Sequence, residues 1–322
     1  MAAKQATAEP YDFTKQTLHT KERGLWGQAF QRLARNRLAL ASGLLLLLIA
    51  ALAVLSELGT FVQNNDPAIQ NYQNIRAAPS GNYWLGTDGL GRDLWSRLMQ
   101  GTLFSLKLGL ITQVFVLVIG ISVGMGAALG GKRGDGVLMW FTDLAYAFPD
   151  LLAIILMRQI LFGRGWPIIG EGNPQIPGFG GVFLVTVIAI GLVAWVTVAR
   201  LVRGQMLQIK QQDYVLAAQA TGASPWRVVR YHMLPNTLSA IIVATTFGIP
   251  LAIFAEAALS FIGLGVPPPD ASLGSLIRSG QDNIQTNSIE LIWPAVMVAI
   301  LMLCFTFLGD GLRDALDPRT RK

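Results

Sequence analysis

Charge is scarce in this chain, and cysteine and histidine are scarcer still. Only 14% of the 322 residues are Asp, Glu, Lys or Arg, where a soluble domain carries about a quarter. The one cysteine, Cys304, lies in an apolar run and excludes an intramolecular disulfide. The two histidines, His19 and His232, are far apart, so no His-based metal site is expected. There is no H-E-x-x-H, no G-x-S-x-G with partners and no Cys–His pair, so no catalytic set is expected. An internal repeat and a separate soluble domain are also missing.

What is present is apolar. Hydrophobic residues make up 52% of the chain, and mean hydropathy is +0.47. Six runs are long enough to cross a bilayer, which takes about 20 residues as helix. They are Leu38–Val62, Leu103–Leu129, Val137–Leu161, Val182–Ala199, Leu238–Ile262 and Leu291–Leu308. In lipid only helices or closed barrels satisfy their own backbones. These runs are too long and too uniformly apolar for barrel strands. An all-α integral membrane protein with six transmembrane helices is therefore expected. The division is a segment 1–37, a membrane domain 38–312 and a tail 313–322. A cleavable signal peptide is the rival for the first run, because Ala51-Leu52-Ala53 resembles a cleavage site. The polar leader is too long for that, and the apolar stretch continues past the site.

Lys and Arg fix the orientation. Eighteen fall in the segments 1–37, 132–133, 200–230 and 313–322, and six in the opposite loops. The positive-inside rule puts both termini and the 200–235 loop in the cytoplasm. The formal charge of +6 follows from this topology, and no nucleic-acid partner is expected. The opposite face carries 63–102, a Gly- and Pro-rich stretch 158–181, and 263–290 with Pro267-Pro268-Pro269.

The cytoplasmic loop is the most distinctive segment. It reads Asp213-Tyr214-Val215-Leu216-Ala217-Ala218-Gln219-Ala220-Thr221-Gly222-Ala223-Ser224-Pro225 and runs on to Leu234-Pro235-Asn236. Ala217 and Ala218 let a partner surface come close to the backbone. Gly222 can take the left-handed conformation that ends a helix. Ser224 as N-cap with Pro225 at the first position opens another. Pro235 marks the return to the membrane.

Other motifs are weaker. Gly126 to Arg133 spells G-x-x-x-x-G-K-R, but Arg133 stands where a phosphate-binding loop needs Ser or Thr, and no strand precedes it. Gly120, Gly124 and Ala128 share a helix face and suit close helix packing. Asp143, Asp150 and Glu256 are carboxylates in or near spans, where such groups are costly and mark functional candidates. Asp143 suits a solvated or subunit-facing role. Asp150 follows Pro149, which kinks helices. Glu256 is the best candidate for a group facing a translocation path or bonding a partner helix.

Taken together these segments resemble the dipeptide/oligopeptide/nickel branch of ABC importer permeases, in its C-type subunit. The Ala217-Ala218…Gly222…Leu234-Pro235 spacing resembles that family's EAA loop. Arg35 to Leu40, Leu85-Gly86-Thr87-Asp88 with Gly91-Arg92-Asp93 and Ser96-Arg97, Asp143 to Ile154, Glu256 to Pro269, and Leu308 to Arg319 match further signatures. Leu216 stands where the family has Glu, and His232 where it has Ile. The 158–181 segment is longer than usual for the family and is read as a contact to a binding protein or subunit, or as a tolerated insertion.

The resemblance implies a type I importer fold in a bacterial or archaeal cell (inner) membrane. It implies a second homologous permease subunit, two cytosolic ATPase subunits and an extracytoplasmic substrate-binding protein. ATP and magnesium would sit on the ATPases, with no cofactor on this chain. The chain would be a non-catalytic subunit forming half of the pathway for di- or oligopeptides. The same machine carrying nickel, glutathione or another small solute is the near alternative. An ion-driven secondary transporter is the alternative of another class, but it calls for inverted repeats and broken-helix pairs that the sequence lacks.

Overall fold

The computed structural model describes residues 25–59, 65–163 and 181–316. All the regular structure among them is helical apart from one isolated bridge between Thr87 and Asp93. A short helix α1 (Leu25–Arg35) leads to α2 (Arg37–Glu57), whose start is fixed by the Asn36 side chain accepting the Ala39 N–H. After the chain from 65 to 93, α3 (Leu94–Leu129) crosses the molecule, and α4 (Gly131–Tyr146) and α5 (Asp150–Gly163) follow. Next come α6 (Gly181–Lys210), two short helices α7 (Asp213–Ala220) and α8 (Pro225–Val228), and α9 (Leu234–Leu259). The described residues end in α10 (Leu273–Asp282) and α11 (Ile289–Leu316).

Among the described residues five helical stretches are long and apolar enough to cross a membrane, and six if the bent pair α4–α5 is one span. The apolar runs thus mark the spans, but their limits differ. The helix expected from Leu103 begins at Leu94, because Asp93 caps it: Ser96 donates its N–H and its hydroxyl to the Asp93 carboxylate. The helix expected to end at Ala199 continues to Lys210.

The third run, expected as one helix over Val137–Leu161, is broken and bent by 91°. Pro149 explains the break. It cannot donate, its ring crowds the preceding turn, and it pushes Phe148 out of the helical region. The fifth run differs the other way. No fresh start occurs at Pro235; α8 passes through a π-helical turn, Val229–Met233, straight into α9. Leu234 donates to the Val229 carbonyl, five residues back. The wider turn absorbs the proline without a break.

Helix α3 is central. Its small face packs on α6. A Cβ on Gly120 would stand 2.7 Å from the Val198 Cβ, and one on Gly124 only 2.5 Å from the Ala199 carbonyl oxygen. A second core, with Leu98, Met99, Ile253, Leu273 and Leu301, joins α3 to α9, α10 and α11. The chain from 65 to 93 folds over the helix ends. Asp88 accepts the N–H groups of Leu90 and Arg92 and pairs with the Arg92 guanidinium at 2.7 Å. Burial pushes the Asp93 carboxyl above its ordinary value, and the bonds from Ser96 draw it back.

Candidate functional site

Two places gather the residues that the sequence singles out. The first is the α7–α8 pair. Thr221 ends α7, and Gly222 follows at φ +83°. Gly222 donates to the Gln219 carbonyl and Ala223 to the Ala218 carbonyl, both at 3.0 Å. This pair of bonds is a Schellman cap and needs a residue at ease with positive φ. Ser224 then caps α8 by accepting the Arg227 N–H at 3.4 Å, with Pro225 in the first turn.

The pair is anchored by three valines. Val215, Val228 and Val229 are buried in one cluster with Val198, Val202 and Met206 of α6 and Met233 of the π-helical turn. Asp213, Tyr214, Leu216, Ala217, Pro225 and Trp226 are exposed, while Ala218 and Ala223 are half-buried. Around Gly222 there is open space where a Cβ would go. Leu216, in place of the family's Glu, is thus an exposed apolar side chain, and His232 lies beside Tyr214 with ring centroids 6.3 Å apart. Pro235 is exposed in the first turn of α9. The arrangement is a rigid knob with an apolar, small-residue surface on the Arg- and Lys-rich side. Behind it, Arg203 pairs with Asp135, and Arg200 pairs with Asp143 at 2.8 Å while its guanidinium lies over the Tyr146 ring.

The second place is within the bundle. A cavity of about 520 Å³ lies between α3, α5, α6 and α9. Its walls are mostly apolar, with Thr112, Gln113, Asp150 and Thr197 as polar exceptions. The Thr112 hydroxyl is buried and has no partner among the described residues. Asp150 sits in the first turn of α5, where a helix N-terminus favours an acid.

Glu256 is elsewhere. It is buried and does not line this cavity. Ser260 donates to its carboxylate at 2.6 Å and Ser105 at 3.2 Å, and Ser272 lies 3.1 Å from the Ser260 hydroxyl. The cluster ties α3, α9 and the start of α10 together. Sequence reading missed the three serines. Ser260 was within reach, since it stands four residues after Glu256 and shares its helix face. Ser105 and Ser272 are brought in by the fold, with no local signal. Among the described residues no group of three or more His, Cys, Asp or Glu is placed to hold a metal. The expectations placed on His19 and on 164–180 lie outside the described residues.

Comparison with known proteins agrees with this geometry. The chain is 38% identical over 295 residues to the dipeptide transport system permease protein DppC of Bacillus subtilis, covering 91% of this chain and 86% of that protein. It is 33% identical to the oligopeptide transport system permease protein OppC of Escherichia coli, covering both in full. The glutathione transport system permease protein GsiD of Pectobacterium atrosepticum is 31% identical over 92% of this chain and 92% of its own length. Among solved structures, an inward-facing MetNI methionine ABC transporter aligns with TM-score 0.54 at 19% identity, over 68% of this chain and 96% of that one. An amino acid ABC transporter aligns at 0.51 and 20% identity, over 67% and 92%. These two likenesses show the fold, which is that of an ABC importer permease. Residues 24–79 match the N-terminal transmembrane domain of oligopeptide transport permease C. Residues 84–322 match the binding-protein-dependent transport system inner membrane component, and the chain belongs to that family.

Proposed function

We propose that this permease carries peptides, and that α7–α8 is the knob through which cytosolic ATPases drive it. The observation that carries the coupling is the knob itself. It is closed at Gly222 by its own hydrogen bonds, anchored by buried valines, and presents alanines and exposed apolar side chains to a partner. A loop that merely joined two spans would need neither the cap nor the anchor. Motion of a docked partner would pass through Val215, Val228 and Val229 into α6 and, through the unbroken π-helical turn, into α9.

Both termini face the cytoplasm in this reading. ATP and magnesium bind the ATPases, and this chain holds no cofactor and does no chemistry itself. A second, similar permease covers the open side of the cavity lined by Gln113 and Asp150, so that each chain forms half of the pathway. A binding protein delivers the solute from outside. Peptide is the cargo best supported, because the long matches include dipeptide and oligopeptide permeases. The test is uptake. Proteoliposomes holding this chain, its permease partner, the ATPases and the binding protein should accumulate labelled di- or tripeptide only with internal ATP. Accumulation of nickel or glutathione without peptide would reassign the cargo, and uptake without ATP would remove the coupling.

A further inference from the structure

On the external side, beside the Pro267–Pro269 turn, lies a second cavity of about 590 Å³. Its wall has four guanidinium groups, from Arg92, Arg97, Arg158 and Arg278, and one carboxylate, Asp270. Three of the arginines are tied into the structure. Arg92 pairs with Asp88 at 2.7 Å, Arg97 donates to the Pro67 and Pro269 carbonyls, and Arg158 donates to the Gly265 carbonyl at 3.2 Å. Asp88 also lies 3.7 Å from Arg97. With Asp88 and Asp270 both counted, two positive charges remain in excess, and one remains if buried Glu256 beneath the floor is counted too.

Arg278 is different. It is exposed, and it has no hydrogen bond or ion pair among the described residues. A Cβ on Gly263 would stand 2.0 Å from the Arg278 Nη1, so the guanidinium lies over the Gly263 backbone at the pocket wall. Gly263 has φ +90°, a conformation that glycine takes without strain. A long cation on one pocket wall with three others, its donors unspent, matches a planar anion.

We propose that this pocket receives a carboxylate of the incoming peptide, with Arg278 as its first ligand; this rests on the peptide reading above. The guanidinium fork fits a carboxylate two-to-two, while the fixed arginines supply the field that draws it in. Position supports the role, because the pocket is at the external ends of α3, α5 and α9, where a delivered solute first meets the chain.

The experiment uses the complete reconstituted complex and one tripeptide in two forms, with a free C-terminal carboxylate and with a C-terminal amide. Calorimetry on the binding protein measures its own preference between the two forms, and that factor is divided out. Arg278→Gln should cut uptake of the carboxylate form about tenfold, as expected for the loss of one charged hydrogen-bonded contact, and change uptake of the amide less than twofold. An equal fall for both forms, or no change in either, overturns the proposal. If the intact complex imports neither form, the peptide reading fails. The solute found on the binding protein then decides: the carboxylate assignment falls if that solute carries no carboxylate, or if blocking its carboxylate leaves its uptake unchanged.

Discussion

Glu256 and Gly124 show how single residues are committed inside this bundle. Glu256 accepts from Ser105 of α3 and from Ser260 one turn on, and Ser272 lies within hydrogen-bond distance of Ser260. Glu256→Ala removes the shared acceptor and leaves a void, so it should cost about 1–3 kcal/mol. Glu256→Gln keeps an acceptor and a similar volume and should cost less. Thermal unfolding in detergent reads both, and an Ala variant as stable as the parent would deny the cluster any structural weight. Gly124 faces a backbone carbonyl at a distance that no Cβ tolerates. Gly124→Leu must therefore separate α3 from α6, at about 1–3 kcal/mol or more. The same scan should show a lower midpoint for this variant, whereas Gly134→Ala, with open space around it, should leave the midpoint unchanged. The glycine spacing that suggested a packing face is readable because small residues recur every four positions. Of the residues around Glu256 only Ser260 is readable in the same way, because Ser105 and Ser272 lie far from it or beyond a turn in the sequence.

At the scale of elements, the knob formed by α7 and α8 is the segment where local sequence rules speak most clearly. Gly222 as a helix stop and Ser224-Pro225 as a start are chemical signals within a few residues, and the hydrogen bonds run where those signals put them. What local rules missed is the join to α9. A proline at 235 reads as a boundary, yet a π-helical turn carries the helix through it. The reverse error occurs at the third span, where an apolar run reads as one helix and Pro149 splits it. Hydropathy counts residues in lipid and is blind to direction within it. For coupling, Gly222→Asp and Ala218→Glu should both abolish ATP-driven uptake at normal membrane expression. Gly222→Asn is the control: Asn also tolerates positive φ and adds no charge, so it should retain most transport. Full uptake in both charged variants would remove α7–α8 from the coupling path.

For the whole molecule, the claims are orientation and assembly. Span number was legible from composition, and orientation was argued from the placement of Lys and Arg. The arginine pocket was not legible, because its walls come from residues 92, 97, 158 and 278, brought together only by the fold. Orientation can be checked in a Cys304→Ser background. Asp282→Cys on α10 should react with a membrane-impermeant maleimide on intact cells, and Trp226→Cys on α8 only after permeabilisation; the opposite pattern would invert the topology. Assembly is the central claim, and purification tests it most directly. The tagged chain, extracted in mild detergent and analysed by mass spectrometry, should bring with it a second permease and ATPase subunits, and a binding protein where the complex is captured loaded. A chain that stays alone and drives ion-dependent uptake in liposomes would contradict the account.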